Sequence, residues 1–392
     1  MKILHVIPSV SERSGGPGTA IVPMCRALMH KGIEVQLIST SDGLTEKPDV
    51  VEYKGVPAMF FPPQLGASFK YSRPLATWLN ANVKNFDLAH IHAVFNHSSM
   101  SASQACRKAG VPYVIRPLGT LDPWSMTQKS LRKRLFWQLS GKAMLRDAAA
   151  VHYTSEAEKL STERHLNLNH GKVISLGVDA NNSNSNGRMF SEPYVLVLSR
   201  LHPKKAVDVL IEAFQSLIQS GKFARWRLVI AGDGPPDYVA KLKAQVAATD
   251  RVVFTGWLDE DKKHEVLGGA SLLALPSHQE NFGLCVMEAL SHSVPVLVSP
   301  NVNLATEIVS ANAGWISAID KDALATRLAE ALSDEDELME RGQSGRELSR
   351  KYSWENAATE LISLYKEIER GWPRRATPTV VSDQATSLDG AR

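Results

Sequence analysis

The stretch Pro276-Ser277-His278-Gln279-Glu280-Asn281-Phe282-Gly283-Leu284-Cys285-Val286-Met287-Glu288-Ala289-Leu290 decides how the chain is read. It follows an apolar run, residues 271–275, of the length of a short buried strand, which Pro276 and Ser277 break. From Phe282 the pattern turns helical, with Leu284, Met287 and Leu290 on one face, and residues 294–298 form a second apolar strand. Strand, polar loop, helix and strand make a βαβ unit, and open α/β sheets bind ligands at the edge where this loop lies. Glu280 stands in the loop and Glu288 in the helix. Between them, Asn281 to Leu284 supply backbone N–H groups at a helix start, an anion site where Gly283 permits close approach. A ligand with both phosphates and hydroxyls suits this set, since carboxylates accept from hydroxyls. A capped helix with one solvent-facing Glu explains the same spacing.

The alternation extends in both directions. Strands are expected at residues 3–7, 33–39, 88–92, 111–115, 149–153 and 173–176, and again at 194–199, 226–231 and 252–255. Helices are expected at residues 20–30, 99–109, 127–146, 207–219, 238–247, 259–267, 321–332, 335–352 and 354–370. Ser155 with Glu158 reads as a capping box. Between the halves lies Asp179-Ala180-Asn181-Asn182-Ser183-Asn184-Ser185-Asn186-Gly187, polar and small, a linker by composition. The reading is two α/β domains, residues 1–180 and 181–353, with parallel sheets facing across a cleft. A helix follows at 354–372, then a tail at 373–392 without periodicity.

Composition agrees. At 392 residues the chain exceeds what one core holds, so two domains are expected. A net charge of +3, with both signs mixed, argues against general nucleic-acid binding. Cys25, Cys106 and Cys285 sit in apolar surroundings without metal-ligand spacing and read as reduced thiols of a cytosolic protein. The first residues read as a strand rather than a signal peptide, and no apolar run reaches membrane-spanning length.

Several constellations carry chemistry. Arg200 follows the strand at 194–199, and Lys205 precedes the next helix. Two cations on one loop suit a diphosphate, Arg as a fork and Lys as a point charge. The loop Gly15-Gly16-Pro17-Gly18 lets backbone approach a ligand but lacks the third glycine of a dinucleotide fingerprint. His90 and His92 alternate in a strand. A metal there needs a third ligand, which the sequence does not supply convincingly, so hydrogen-bonded strand histidines are the preferred reading, with His92 able to reach the cleft. Arg116 to Trp124 is a loop suited to an acceptor or to structure alone. Helix 127–146 carries six basic residues and Leu131, Leu135 and Leu139 at four-residue steps. The preferred reading turns the leucines to the core; the alternative lays the helix on an anionic bilayer.

Taken together, these motifs resemble the retaining GT-B glycosyltransferases of family four, the "glycosyl transferases group 1". The resemblance covers most of the chain and is strongest at residues 194–315. Glu280 and Glu288 match the family's E-x7-E, and Arg200 and Lys205 its paired cations. Gly15 and Gly16 match its first glycine loop. Gly232-Asp233-Gly234 and Phe254-Thr255-Gly256 match two later loops, and Tyr352-Ser353-Trp354 the start of a helix crossing back to the first domain. The resemblance implies that Arg200 and Lys205 hold a nucleotide-sugar's diphosphate, assisted by backbone at Asn281, Phe282, Gly283 and Leu284. It gives Glu288 to the ribose and Glu280 to the sugar, with Gly232, Thr255 and Gly256 on the donor side. It implies no cofactor and no metal, and retention by same-face attack. Two positions depart from the pattern. Ala206 stands where the family often has Gly, and Leu118, before Gly119, where many members carry His; His92 or Arg116 is then an acceptor-side substitute. The expected function is hexose transfer from a nucleotide-sugar to a lipid-linked or polysaccharide acceptor, in the cytoplasm or peripherally on the inner membrane face. An epimerase on the same architecture would turn over donor alone, and a non-catalytic GT-B subunit would bind without turnover.

Overall fold

The computed structural model describes residues 1–11, 15–40, 49–66, 69–122, 125–126, 130–179, 189–246 and 249–372. Residues 180–187 of the expected linker 179–187, the start of the basic helix at 127–129 and the tail at 373–392 lie outside these residues.

Two sheets carry the chain. The first is built from β1 (Lys2–Val6), β2 (Glu34–Thr40), β3 (Val51–Tyr53), β4 (Val56–Phe61), β5 (Leu88–His92), β6 (Tyr113–Arg116), β7 (Ala150–Tyr153) and β8 (Gly171–Val173). Its order is β3-β4-β2-β1-β5-β6-β7-β8, parallel except where β3 meets β4. The second contains β9 (Tyr194–Leu198), β10 (Arg227–Ala231), β11 (Val252–Gly256), β12 (Leu272–Leu275), β13 (Val296–Val298) and β14 (Gly314–Ile316), in the order β11-β10-β9-β12-β13-β14, all parallel. The central strands of the second sheet, β9 and β12, are nearly continuous apolar runs because helices cover both faces, whereas β1 and β5 of the first also carry buried histidines. This is the expected pair of Rossmann-like domains.

Each sheet winds outward from its middle. The chain leaves β9 towards β10 and β11, then returns to β12 and proceeds the other way. The β9–β12 junction is therefore the point where winding reverses, and a crevice opens beyond those two strand ends. Arg200 follows β9 and Glu280 follows β12, so topology alone brings their loops together. In the first sheet β1 and β5 form the equivalent junction.

The helix Trp354–Gly371 packs on the first domain. Its Tyr365 hydroxyl meets His90 Nδ1 at 2.7 Å, Trp372 Nε1 donates to the Gly110 carbonyl at 3.1 Å, and the Val178 N–H donates to the Tyr352 carbonyl at 2.7 Å.

Some elements escaped the pattern. The hairpin β3–β4 turns on Lys54 and Gly55, both at positive φ as a two-residue hairpin requires. Pro57 inside β4 and the prolines after it hide the run; it is tolerated near the end of a strand whose partner there is the short β3. Helix Arg73–Asn82 and β14 were also unmarked. The first glycine loop is shorter than expected: Gly16 and Gly18 lie in helix Gly16–His30, with Gly15 as its N-cap. Ala206 occupies the left-handed region at φ 50°, which costs a non-glycine residue about 1 kcal/mol and explains why glycine suits that position.

Beneath the first domain's cleft lies a buried polar cluster. His5, His90, His92 and His152 are each 0 % exposed. His152 Nε2 donates to the Ile174 carbonyl at 2.7 Å, so its Nδ1 accepts from His90 Nε2 at 3.2 Å, and His90 Nδ1 accepts from Tyr365. The terminal carbonyl thus fixes the tautomers of a chain of neutral rings. Burial, and then the nearby Arg116, push His5 and His152 down to about 3; burial holds His90 and His92 well below 6.5. The unfolded chain therefore binds more protons below pH 6.5, and the stability these rings contribute, full above that value, is lost as pH falls towards 3. At pH 5 each ring kept neutral costs about 2 kcal/mol. Thermal unfolding should show the melting temperature falling steeply from pH 7 to pH 5, with a shallower slope in His5→Leu; a flat profile contradicts this account.

Candidate functional site

The cleft between the sheets encloses about 300 Å³, within the range of small-molecule sites. Its donor-side wall is the β9–β12 junction. The backbone itself joins the two loops, His278 N–H donating to the Lys204 carbonyl at 2.8 Å. Lys205 Nζ then pairs with Glu280 Oε2. Burial raises the Glu280 carboxyl, but Lys205, Lys204 and Arg200 outweigh it and hold the group below the usual range. Glu280 is also fixed through its main chain: its N–H donates to Asn301 and its carbonyl accepts from Asn303, each at 3.1 Å.

Arg200 reaches across the cleft to the first domain. Gly15 has φ 91°, a conformation that favours glycine, and a Cβ there would sit 2.6 Å from Arg200 Nε, so the Arg200 side chain lies directly over it. Gly16 lines the same wall. The cations thus face a glycine-lined surface that a ligand can approach closely.

Helix Leu284–Ser291 begins at Gly283, whose φ of 71° favours glycine, and no side chain caps its first N–H groups. Phe282 is buried against Tyr352, ring centroids 5.8 Å apart, and anchors the loop. Glu288 lies one turn into the helix, where Lys263 Nζ meets its Oε1 at 3.2 Å and Glu260 at 3.0 Å. Burial depresses the Lys263 ammonium, but Glu288 and Glu260 more than restore it. Lys263 and Lys204 both line the cleft; the sequence reading did not single them out as site residues, because lysines in polar stretches look like solvated surface.

Other expected residues take different roles. Gly232 lines the cleft, yet its glycine is required by packing: a Cβ would lie 1.9 Å from the Ser199 carbonyl oxygen. Thr255 and Gly256 do not line it. Gly256 accepts from Gly232 N–H at 2.8 Å, and Trp257 and Leu258 provide the surface instead. On the acceptor side, Arg116 reaches the cleft floor while 2 % exposed, its Nε without a partner among the described residues, and burial brings it down to about 10. Leu118 lines the cleft with φ 61°. Gly119 faces away: its N–H donates to Glu158 at 2.8 Å, and a Cβ there would sit 2.9 Å from that of Asn281.

His92 does not reach the cleft. It is buried, stacked on His90 at 4.4 Å, with Nε2 3.1 Å from His5 Nδ1. Strand alternation turns it into the layer beneath. His5 is the third imidazole that the sequence reading lacked, and ring nitrogens of His5, His90 and His92 lie within 4.8 Å of one another. β1 and β5 are 85 residues apart in the chain but adjacent in the sheet, with His5 opposite His90. Arg116 beside them places a positive charge that disfavours a dication at this trio.

Leu131, Leu135 and Leu139 are 80 %, 63 % and 76 % exposed. The core-facing reading of this stripe is overturned. Phe136, Trp137, Met144 and Leu145 do the packing instead, and a π-helical turn at Trp137–Gly141 separates the two helical pieces that carry them.

Comparison with known proteins meets the same architecture. Residues 15–177 match the model described as glycosyl transferase 4-like domain, and residues 179–348 that described as glycosyl transferases group 1. An uncharacterized glycosyltransferase of Methanocaldococcus jannaschii is 30% identical over 181 residues, 45% of each chain. A D-inositol 3-phosphate glycosyltransferase of Corynebacterium efficiens is 31% identical over 46% of each chain. The chain thus spans about half the length of these curated relatives. A D-inositol 3-phosphate glycosyltransferase of Xylanimonas cellulosilytica aligns over 92% of this chain and 94% of its own at 24% identity. Among solved structures, sucrose-phosphate synthase from Thermosynechococcus elongatus superposes with TM-score 0.77 at 20% identity, covering 94% of this chain and 98% of its own. Anabaena HepE, in complex with UDP and glucose, gives 0.74 at 20% identity, covering 93% and 99%. At these identities the structures speak for the fold, while the two matched models cover both domains: the chain belongs to the GT-B glycosyltransferases of family four.

Proposed function

We propose that the chain transfers a hexosyl group from a nucleoside-diphosphate sugar to a lipid-linked or polysaccharide acceptor, with retention and without a divalent metal. The observation that carries this is the meeting of Arg200, Lys205, Glu280 and the start of helix Leu284–Ser291 at one strand junction, opposite the Gly15–Gly16 wall. Two fixed cations and a helix start supply the stabilisation a leaving diphosphate needs. Glu288 offers its carboxylate to the ribose. Glu280, held by Lys205 through Oε2, presents Oε1 to the sugar's hydroxyls. The anomeric carbon's bond to phosphate breaks as its bond to the acceptor oxygen forms on the same face. The acceptor's proton passes to the departing phosphate oxygen, so no side-chain nucleophile is consumed.

The exposed leucines support the lipid-linked acceptor. Leu131, Leu135 and Leu139 share one face of a helical segment whose Arg134 and Lys142 are also exposed. Apolar area flanked by cations fits an anionic lipid surface, each leucine contributing roughly 1.5–3 kcal/mol if fully buried. No helix among the described residues is long and apolar enough to cross a membrane.

Two experiments test these readings. Arg200→Ala removes an exposed cation and should cut transfer from a nucleotide-sugar about 100-fold with an unchanged melting temperature. Lys205→Ala should cut it as far but also destabilise the chain by about 2–3 kcal/mol, because it leaves the Glu280 carboxylate unpaired. Wild-type rates in both refute the assignment. Flotation with phosphatidylglycerol vesicles at low salt should carry the protein upward, and replacing the three leucines by serine should abolish this; no flotation of the wild type rejects the membrane reading.

A further inference from the structure

Glu158 belongs by its sequence to a capping box, and half of that box forms: Ser155 Oγ accepts from the Glu158 N–H at 3.1 Å. The carboxylate goes elsewhere. Its Oε1 accepts from the Gly119 N–H at 2.8 Å, and its Oε2 from the Thr154 N–H at 2.9 Å and the Thr154 hydroxyl at 3.1 Å. The residue is 4 % exposed, so a helix cap does not explain why a carboxylate is kept there. Three donors converge on it and favour the ionised form, working against the burial that raises its carboxyl above the usual range.

The Thr154 hydroxyl spends its one hydrogen on Glu158, and its oxygen accepts from Asn281 Nδ2 at 2.9 Å. Asn281 belongs to the other domain and follows Glu280 directly. Asn281 therefore joins Glu158 both by a relay through Thr154 and by its own side chain, and the carboxylate's other oxygen holds Gly119 beside the cleft-lining Leu118. Opposite, Gly119 leaves the space that Asn281 fills.

We propose that Glu158 is a positioning residue that sets the acceptor-side loop 117–120 and the donor-side loop 280–284 in one register, so that Glu280 meets a sugar whose acceptor is already placed. This rests on the transferase reading above and adds to it the device that aligns the two half-sites. The amide of Glu158→Gln would point a donor at one of three donors and break the relay or release Gly119.

The test combines kinetics with hydrogen exchange in the full-length chain. Glu158→Gln and Asn281→Ala should each lower kcat about tenfold. In Glu158→Gln the affinity for UDP, the probe for the donor half-site, should stay within about twofold, since Arg200, Lys205, Glu288 and the 281–284 loop are untouched. The double variant should lose no more than the worse single one. Thr154→Val removes the relay hydroxyl but leaves both backbone N–H bonds to Glu158 in place. It should fold as the wild type and raise amide exchange in residues 280–284, across the domain boundary, about tenfold. Unchanged kcat in Glu158→Gln, multiplicative losses in the double variant, or unchanged exchange at 280–284 in Thr154→Val each overturn the proposal. If the wild type transfers no sugar, the transferase reading fails, and the exchange experiment still decides whether the relay couples the loops.

Discussion

The ion pair between Lys205 and Glu280 sets the geometry on which the cleft depends. Glu280 is nearly buried, and taking a carboxylate out of water costs several kcal/mol unless a partner compensates. Lys205 compensates, with Lys204 and Arg200 adding to the field. The pair can form because β9 and β12 are neighbours at the point where the sheet's winding reverses. The His278–Lys204 backbone bond holds the loops at the right separation before any side chain is considered. A site that needs a dense positive charge is thereby built on a carboxylate that keeps that charge in place.

The two domains address each other through small residues. Gly15 makes room for Arg200, and Gly119 makes room for Asn281. Both lie at the carboxyl ends of first-domain strands, so the cleft walls meet backbone to side chain. Electrostatic groups come mainly from the second domain. The first contributes shape, the buried Arg116 and the loop that Glu158 holds. Behind that loop, the neutral histidine layer ties the sheet to helix Trp354–Gly371 through Tyr365.

The fold was legible because alternating apolar runs and helical periodicities repeat along both halves, and because the buried parallel strands carry continuous hydrophobic sequences. Arg200, Lys205 and Glu280 were legible because each lies in a loop after a recognisable strand, and Glu288 because it lies in the helix that follows, eight residues from Glu280. What the sequence hid depends on distance in the chain. His5 and His90 become neighbours only through sheet order, and Glu158 carries a local capping signature that masks its tertiary bonds. The leucines at 131, 135 and 139 have core-like spacing, and only the inward packing of Phe136 and Trp137 beside them shows that they face outward. Pro57 masked a strand near whose end its missing N–H is tolerated. Thr255 and Gly256 were placed in the site by motif, whereas the next two residues supply the surface.

In this account fixed protein charges hold the diphosphate, so turnover should not depend on a dissociable dication. The most direct measurement is the transfer rate from UDP-glucose, or from whichever nucleotide-sugar the protein binds best, in the presence of excess EDTA. The predicted result is an unchanged rate, with Arg200→Ala about 100-fold slower under the same conditions. Loss of transfer in EDTA, restored by magnesium or manganese, would contradict the claim that Arg200, Lys205 and the helix start alone stabilise the leaving group.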